Sequence, residues 1–184
     1  MLTGLLAVLS AAAAAGLRVA LPLLVIGLIR TEFWENIPFL SRFNPRVLLT
    51  ILIVWSLFEL FASKNLLGQR VLQVFSLIGS PIVGALISVA VAKAIGPSEL
   101  PLWLLALLGG LLALTIKLVQ IGWFFRLRGL PLWVTAIEDL LCIGLVFFAF
   151  RAPQQGGLIA LFLLWLVIRS STAWRKWYLR GRSK

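Results

Sequence analysis

Residues 102–125 read LWLLALLGGLLALTIKLVQIGWFF, an apolar run interrupted by one charge, Lys117. At about 1.5 Å of rise per residue it is long enough to cross a hydrocarbon core of about 30 Å as one helix. Working outward, Pro97 and Pro101 precede it, and Arg126 and Arg128 follow it as interfacial charges do. The same grammar recurs along the chain. Of 184 residues, 61% are hydrophobic and 12% charged, with 17 Lys+Arg against 6 Asp+Glu. Soluble domains average about 45–50% apolar and about 25% charged residues, and a fold this small could not hide the excess. Composition therefore excludes an ordinary soluble enzyme, a disordered chain and a disulfide scaffold. It points to an all-α, polytopic membrane bundle, a single integral membrane domain over 1–184.

Several chemistries are absent as well. There is no histidine and one cysteine, Cys142, flanked by Leu141 and Ile143 and expected to be buried and inert. No phosphate-binding glycine loop and no nucleophile elbow occur. No catalytic set, metal or cofactor is expected. The positive balance lies at the ends of apolar runs, which argues for anionic lipid as partner and against nucleic acid. The apolar start, without a basic stretch ahead of it, reads as a first membrane helix that is not cleaved.

Six crossings are expected. The first covers 2–29, interrupted in character only by Arg18 and Pro22, and Ala11–Gly16 form a run of small residues suited to close helix approach. A polar and aromatic interfacial loop, 30–45, holds Phe33 and Trp34 at headgroup level. Asn44-Pro45 supplies an N-cap and a proline at the first helical position of helix two, which runs to Ala62 and carries Glu59. From Lys64 to Gly79 the apolar Leu67, Val71, Val74, Phe75 and Ile78 share one face, with Lys64, Arg70 and Gln73 off it. This stretch either lies on the membrane surface or begins a crossing. Gly79-Ser80-Pro81 then predicts a helix break at Pro81, and 81–95 alone would span only about 22 Å. Helix four is 102–125, Pro131 opens helix five with Glu138 and Asp139, and a second break at Pro153 opens helix six.

The tail at 175–184 is basic: Arg175, Lys176, Arg180, Arg182 and Lys184, interleaved with Trp174, Trp177 and Tyr178. These are the expected contacts to anionic headgroups, at about 1 kcal/mol per charge. With six crossings both termini share a side carrying nine Lys and Arg against five opposite, which places both in the cytoplasm.

The chain falls into halves, 1–97 and 98–178, and each holds P-x-x-G-[AG]-L-I, from Pro81 and from Pro153. A base, Arg18 or Lys117, and then acid, Glu59 or Glu138-Asp139, precede each motif. Three crossings per half would give a 3+3 inverted repeat. Chance in a low-diversity apolar sequence would give the same pattern, and the base-to-acid spacings differ.

An unpaired charge at the centre of a membrane helix costs roughly 2.5–3.5 kcal/mol, so these five would cost on the order of 12–18 kcal/mol together. Arg18 and Lys117 are therefore expected to meet the acids inside the bundle, leaving one carboxylate in excess for a cation or a proton. Either the group lines a pathway or it fixes helix register and nothing more. Glu138 and Asp139, adjacent on a helix, point about 100° apart and cannot easily serve one substrate. The leading expectation is a small permease or channel-like protein. The competing one is a non-transporting accessory subunit in a larger complex or homo-oligomer.

Four segments, AAAAAGLRVALPLL (Ala11–Leu24), FELFASK (Phe58–Lys64), PIVGAL (Pro81–Leu86) and AIEDL (Ala136–Leu140), resemble the uncharacterised membrane family catalogued as domain of unknown function 4126. The likeness spans roughly residues 5–170, with Gly16-Leu17-Arg18, Glu59 and Glu138-Asp139 on the family's pattern. The chain departs from it at Ser63-Lys64-Asn65, where the family is more acidic. The resemblance implies a membrane of the bacterial inner or thylakoid type and brings no established activity.

Overall fold

The computed structural model describes residues 2–29, 44–62, 66–96, 100–127 and 131–181, and every element among them is an α-helix. In chain order these are α1 (Leu2–Leu17), α2 (Ala20–Ile29), α3 (Pro45–Ala62), α4 (Leu66–Ile95), α5 (Leu102–Leu127), α6 (Leu132–Arg151) and α7 (Pro153–Gly181). The expected interfacial loop 30–43 lies outside the described residues, as do Lys64, Arg128, Arg182 and Lys184 and the side chains of Arg175, Lys176 and Arg180.

Proline and glycine set most boundaries. α3 and α7 begin on a proline, and α5 and α6 directly follow one, where the missing N–H costs no hydrogen bond. Asn44 caps α3: its Oδ1 accepts the Arg46 N–H at 3.1 Å. Gly96, at φ +126°, ends α4 in a backbone conformation that other residues rarely adopt. Ala152 alone separates α6 from α7.

Helices α3 to α7 are each long and apolar enough to cross a membrane. α1 and α2 are not: at about 24 Å and about 15 Å, neither reaches across by itself. The single helix expected over 2–29 is thus corrected to two, parted at Arg18-Val19. Pro22 explains the position. In an unbroken helix its nitrogen would have to donate to the Arg18 carbonyl, which it cannot, and its ring would press on that carbonyl.

The break expected at Pro81 is also corrected. α4 runs from Leu66 to Ile95 with Pro81 inside it. The amphipathic stretch before it is the first half of this one continuous helix, which is long and apolar enough to cross a membrane, and its faces are turned opposite to those of a soluble helix. Val71, Val74, Phe75 and Ile78 are exposed on the outside of the bundle, while Gln69, Ser76 and Ser80 are buried. In lipid the apolar face needs no protein partner, so the polar face turns inward.

α1 is the axis of the bundle. Ala11 to Ala15 are fully buried, and α1 packs against α4, α5, α6 and α7. Alanine side chains allow all four to come close. The P-x-x-G glycines serve the same purpose. A Cβ on Gly84 would meet the Ala113 Cβ at 2.6 Å, and one on Gly156 would meet the Phe148 Cβ at 2.9 Å. α3 stands apart: it packs mainly on α2, and its only buried residues are Ser56 and Glu59.

Candidate functional site

The gap between α1 and α2 puts a helix C-terminus and a helix N-terminus side by side in the bundle interior. The first carries partial negative charge and the second partial positive charge. Intramembrane charges from three other helices meet them. Lys117 of α5 donates from Nζ to the Leu17 carbonyl at 2.9 Å, the last residue of α1. Opposite in sign, the Glu59 carboxyl of α3 interacts with the Ala20 amide, the first of α2. The basic group thus sits at the negative end and the acidic one at the positive end.

Arg18 stands in the gap itself. Its Nε donates to Asp139 Oδ1 of α6 at 2.6 Å, an ion pair that joins residues 121 positions apart. Lys117 also donates to Gln120 Oε1 at 2.6 Å, and the Gln120 side chain in turn hydrogen-bonds Glu138. Gln120 therefore relays Lys117 to Glu138 in place of a direct contact. Trp55 Nε1 donates to Glu59 Oε1 at 3.1 Å. Glu138 and Asp139, side by side in sequence, turn to different bases, as their angular separation on α6 requires.

All five charges named from the sequence gather here. Arg18 is 8% exposed, Lys117 6% and Glu59 3%, and Glu138 and Asp139 are half-buried. One expectation needs refining: among the described residues the direct ion pair is Arg18–Asp139, and Lys117 and Glu59 are held by hydrogen bonds and by charge at longer range. Lys117 has used its reach on the α1 carbonyl and on Gln120, so a carboxylate is not its first neighbour.

Among the described residues, three buried side-chain atoms find no hydrogen-bond partner: Arg18 Nη2, Glu59 Oε2 and, three residues before Glu59 on α3, Ser56 Oγ. Leaving such a group bare costs about 1–3 kcal/mol. A polar cavity of about 50 Å³ adjoins, lined by Arg18, Gln69, Gln73, Ser76, Lys117 and Glu138 among others. A water needs about 10–15 Å³ by this measure, so several fit.

Gly79 and Ser80 of α4 lie against the gap and the end of α1, while Pro81 beside them turns to α5. Ser80 Oγ lies 3.1 Å from both the Ala15 and the Ala113 carbonyls, and a Cβ on Gly79 would come within 3.2 Å of Val19 Cγ1. The sequence marks Gly79 and Ser80 only as part of a helix break, and Ser56 looks like ordinary helix filler, so none of the three reads as a site residue. Their signal was a polar or small residue on a face otherwise out of register with the apolar one. Cys142 is fully buried against the Ala14 carbonyl. Among the described residues, no three His, Cys, Asp or Glu side chains gather as a metal-ligand set.

No curated protein and no solved structure matches this chain. A family model does, over residues 5–173, so the match takes in Arg18, the gap beside it and all four partner charges; the chain belongs to the family described as a domain of unknown function (DUF4126).

Proposed function

We propose that this membrane protein is a small permease or channel-like protein, and that the charges around the α1–α2 gap line its path. The observation that carries this reading is a broken helix with complementary charges at both ends, beside a polar cavity with room for water. Broken helices with polar lumens at membrane depth are how transporters offer backbone groups and charges to a solute. In this reading α1 and α2 together form a sixth crossing, the halves are a 3+3 inverted repeat, and both termini are cytoplasmic. The close-packed glycines of both P-x-x-G motifs support the repeat. The protein is non-enzymatic, sits in a bacterial inner or thylakoid-type membrane, and uses its basic tail on anionic lipid.

Purified protein reconstituted into liposomes tests the reading. Solute or ion flux that is lost in Glu138→Gln supports it; vesicles as tight as protein-free ones contradict it.

A second reading, an accessory subunit of a larger complex, has its own support. An apolar groove of about 490 Å³ between α4 and α5 is lined by the small residues Ala85, Ala106 and Gly110 beside Trp103. Small residues let a foreign helix approach closely. A stoichiometric partner retained through mild-detergent purification would favour this reading.

A further inference from the structure

The polar cavity has a neighbour of opposite character. A cavity of about 260 Å³ lies among α5, α6 and α7, with apolar walls that include Ile116, Val119, Leu141 and Leu163. Trp123 and Trp133 also line it and are 47% and 67% exposed, which puts its mouth on the outer surface of the bundle, where lipid lies. The Trp123 ring is fixed by its Nε1, which donates to Ser170 Oγ at 2.7 Å. Gln120 and Glu138 line both cavities. An apolar chamber open to the membrane thus ends on a carboxyl group.

Charge decides what such a chamber takes. Arg18 and Lys117 line the polar cavity but not the apolar one, so the ionisable group shown to the apolar chamber is Glu138. Three acids against two bases leave the cluster one carboxyl group in excess. Tryptophan faces at the mouth attract cations and apolar groups alike. Lipophilic anions would meet a carboxylate, and a neutral apolar molecule would leave it unanswered.

We infer that the apolar cavity binds an amphipathic organic cation, its charged centre at Glu138, on the wall shared with the polar cavity, and its apolar body between α5, α6 and α7. This names the solute class for the site proposed above and rests on reading that site as one that binds ligand. That cavity lies near the small end of the range of about 300–1,000 Å³ usual for ligand pockets, which suits a compact ligand and excludes a nucleotide or an oligosaccharide.

Two probes of matched shape and opposite charge test the inference: tetraphenylphosphonium and tetraphenylborate. Binding to the purified full chain in uncharged detergent is measured by equilibrium dialysis against protein-free micelles. The phosphonium is expected to bind more tightly than the borate, and Glu138→Gln to weaken it about tenfold. Val167→Trp fills the apolar chamber without touching a charge and should weaken it about as much. That variant also keeps the test decisive should Glu138→Gln not elute as a monodisperse helical protein. Borate binding as tight as phosphonium binding would overturn the inference, as would phosphonium binding that neither substitution changes. Flux is measured on the same preparations. Phosphonium binding without flux would sink the transport reading and leave the inference standing; flux of small ions without phosphonium binding would do the reverse.

Discussion

Pro22 and Pro81 each sit in an apolar run, each removes one backbone donor, and they have opposite outcomes. Upstream of Pro22 the chain leaves the helix at Arg18-Val19; around Pro81 the helix continues from Leu66 to Ile95. Proline alone therefore does not decide where a membrane helix parts. At the first site the freed groups have partners brought by other helices: Lys117 for the Leu17 carbonyl, Glu59 for the Ala20 amide, Asp139 for the Arg18 side chain. At the second, the unbroken segment itself serves the gap, with Gly79 making room for Val19 and Ser80 reaching the Ala15 carbonyl. One proline sits beside a gap that distant charges hold open; the other follows directly on the two residues of α4 that pack against that gap and turns to α5 itself.

Removing the charge in the gap has the largest expected effect. Arg18→Leu leaves the half-buried Asp139 without its partner and should lower stability by up to about 3–5 kcal/mol, read as a fall in Tm and in monodisperse yield in detergent. A variant as stable as the parent would mean that Arg18 is not paired. Adding Asp139→Leu should recover much of the loss, because replacing both members of a buried pair with apolar groups is often nearly neutral. Next comes Lys117→Met, which uncaps the α1 C-terminus. Losing hydrogen bonds from a charged donor predicts about 1.5–3 kcal/mol by the same assay. Smallest is Pro81→Ala. The helix already runs through this position, so restoring the donor should raise stability by less than about 1 kcal/mol. A large loss there would show that the proline shapes α4 after all.

The sequence was most legible where signals are local. Asn44-Pro45 capping α3 and Pro153 opening α7 need only their own backbone geometry. The five charges were legible because lipid penalises each of them alone, so they had to meet. The gap at Arg18 was not, because it depends on Lys117 and Glu59, far away in sequence and on other helices. The inward turn of Gln69, Ser76 and Ser80 escaped for a different reason. An amphipathic pattern gives the angle between two faces but not which of them meets protein, and lipid reverses the choice that water would impose. Gln120 is one polar residue in an apolar run, and only its place between Lys117 and Glu138 makes it a relay.

On the proposed reading, water and charge occupy the middle of this bundle while lipid covers its flanks. Ser76 and Ile78, two residues apart on α4, face the two environments: one lines the polar cavity and the other is 65% exposed on the outer face. In a background with Cys142 replaced by alanine, Ser76→Cys in native membranes should react with a small membrane-impermeant thiosulfonate, since the attacking nucleophile is the thiolate, which displaces sulfinate from the reagent, and a thiolate needs water. Ile78→Cys should stay unmodified. An unreactive Ser76→Cys beside a reactive Ile78→Cys would contradict the account.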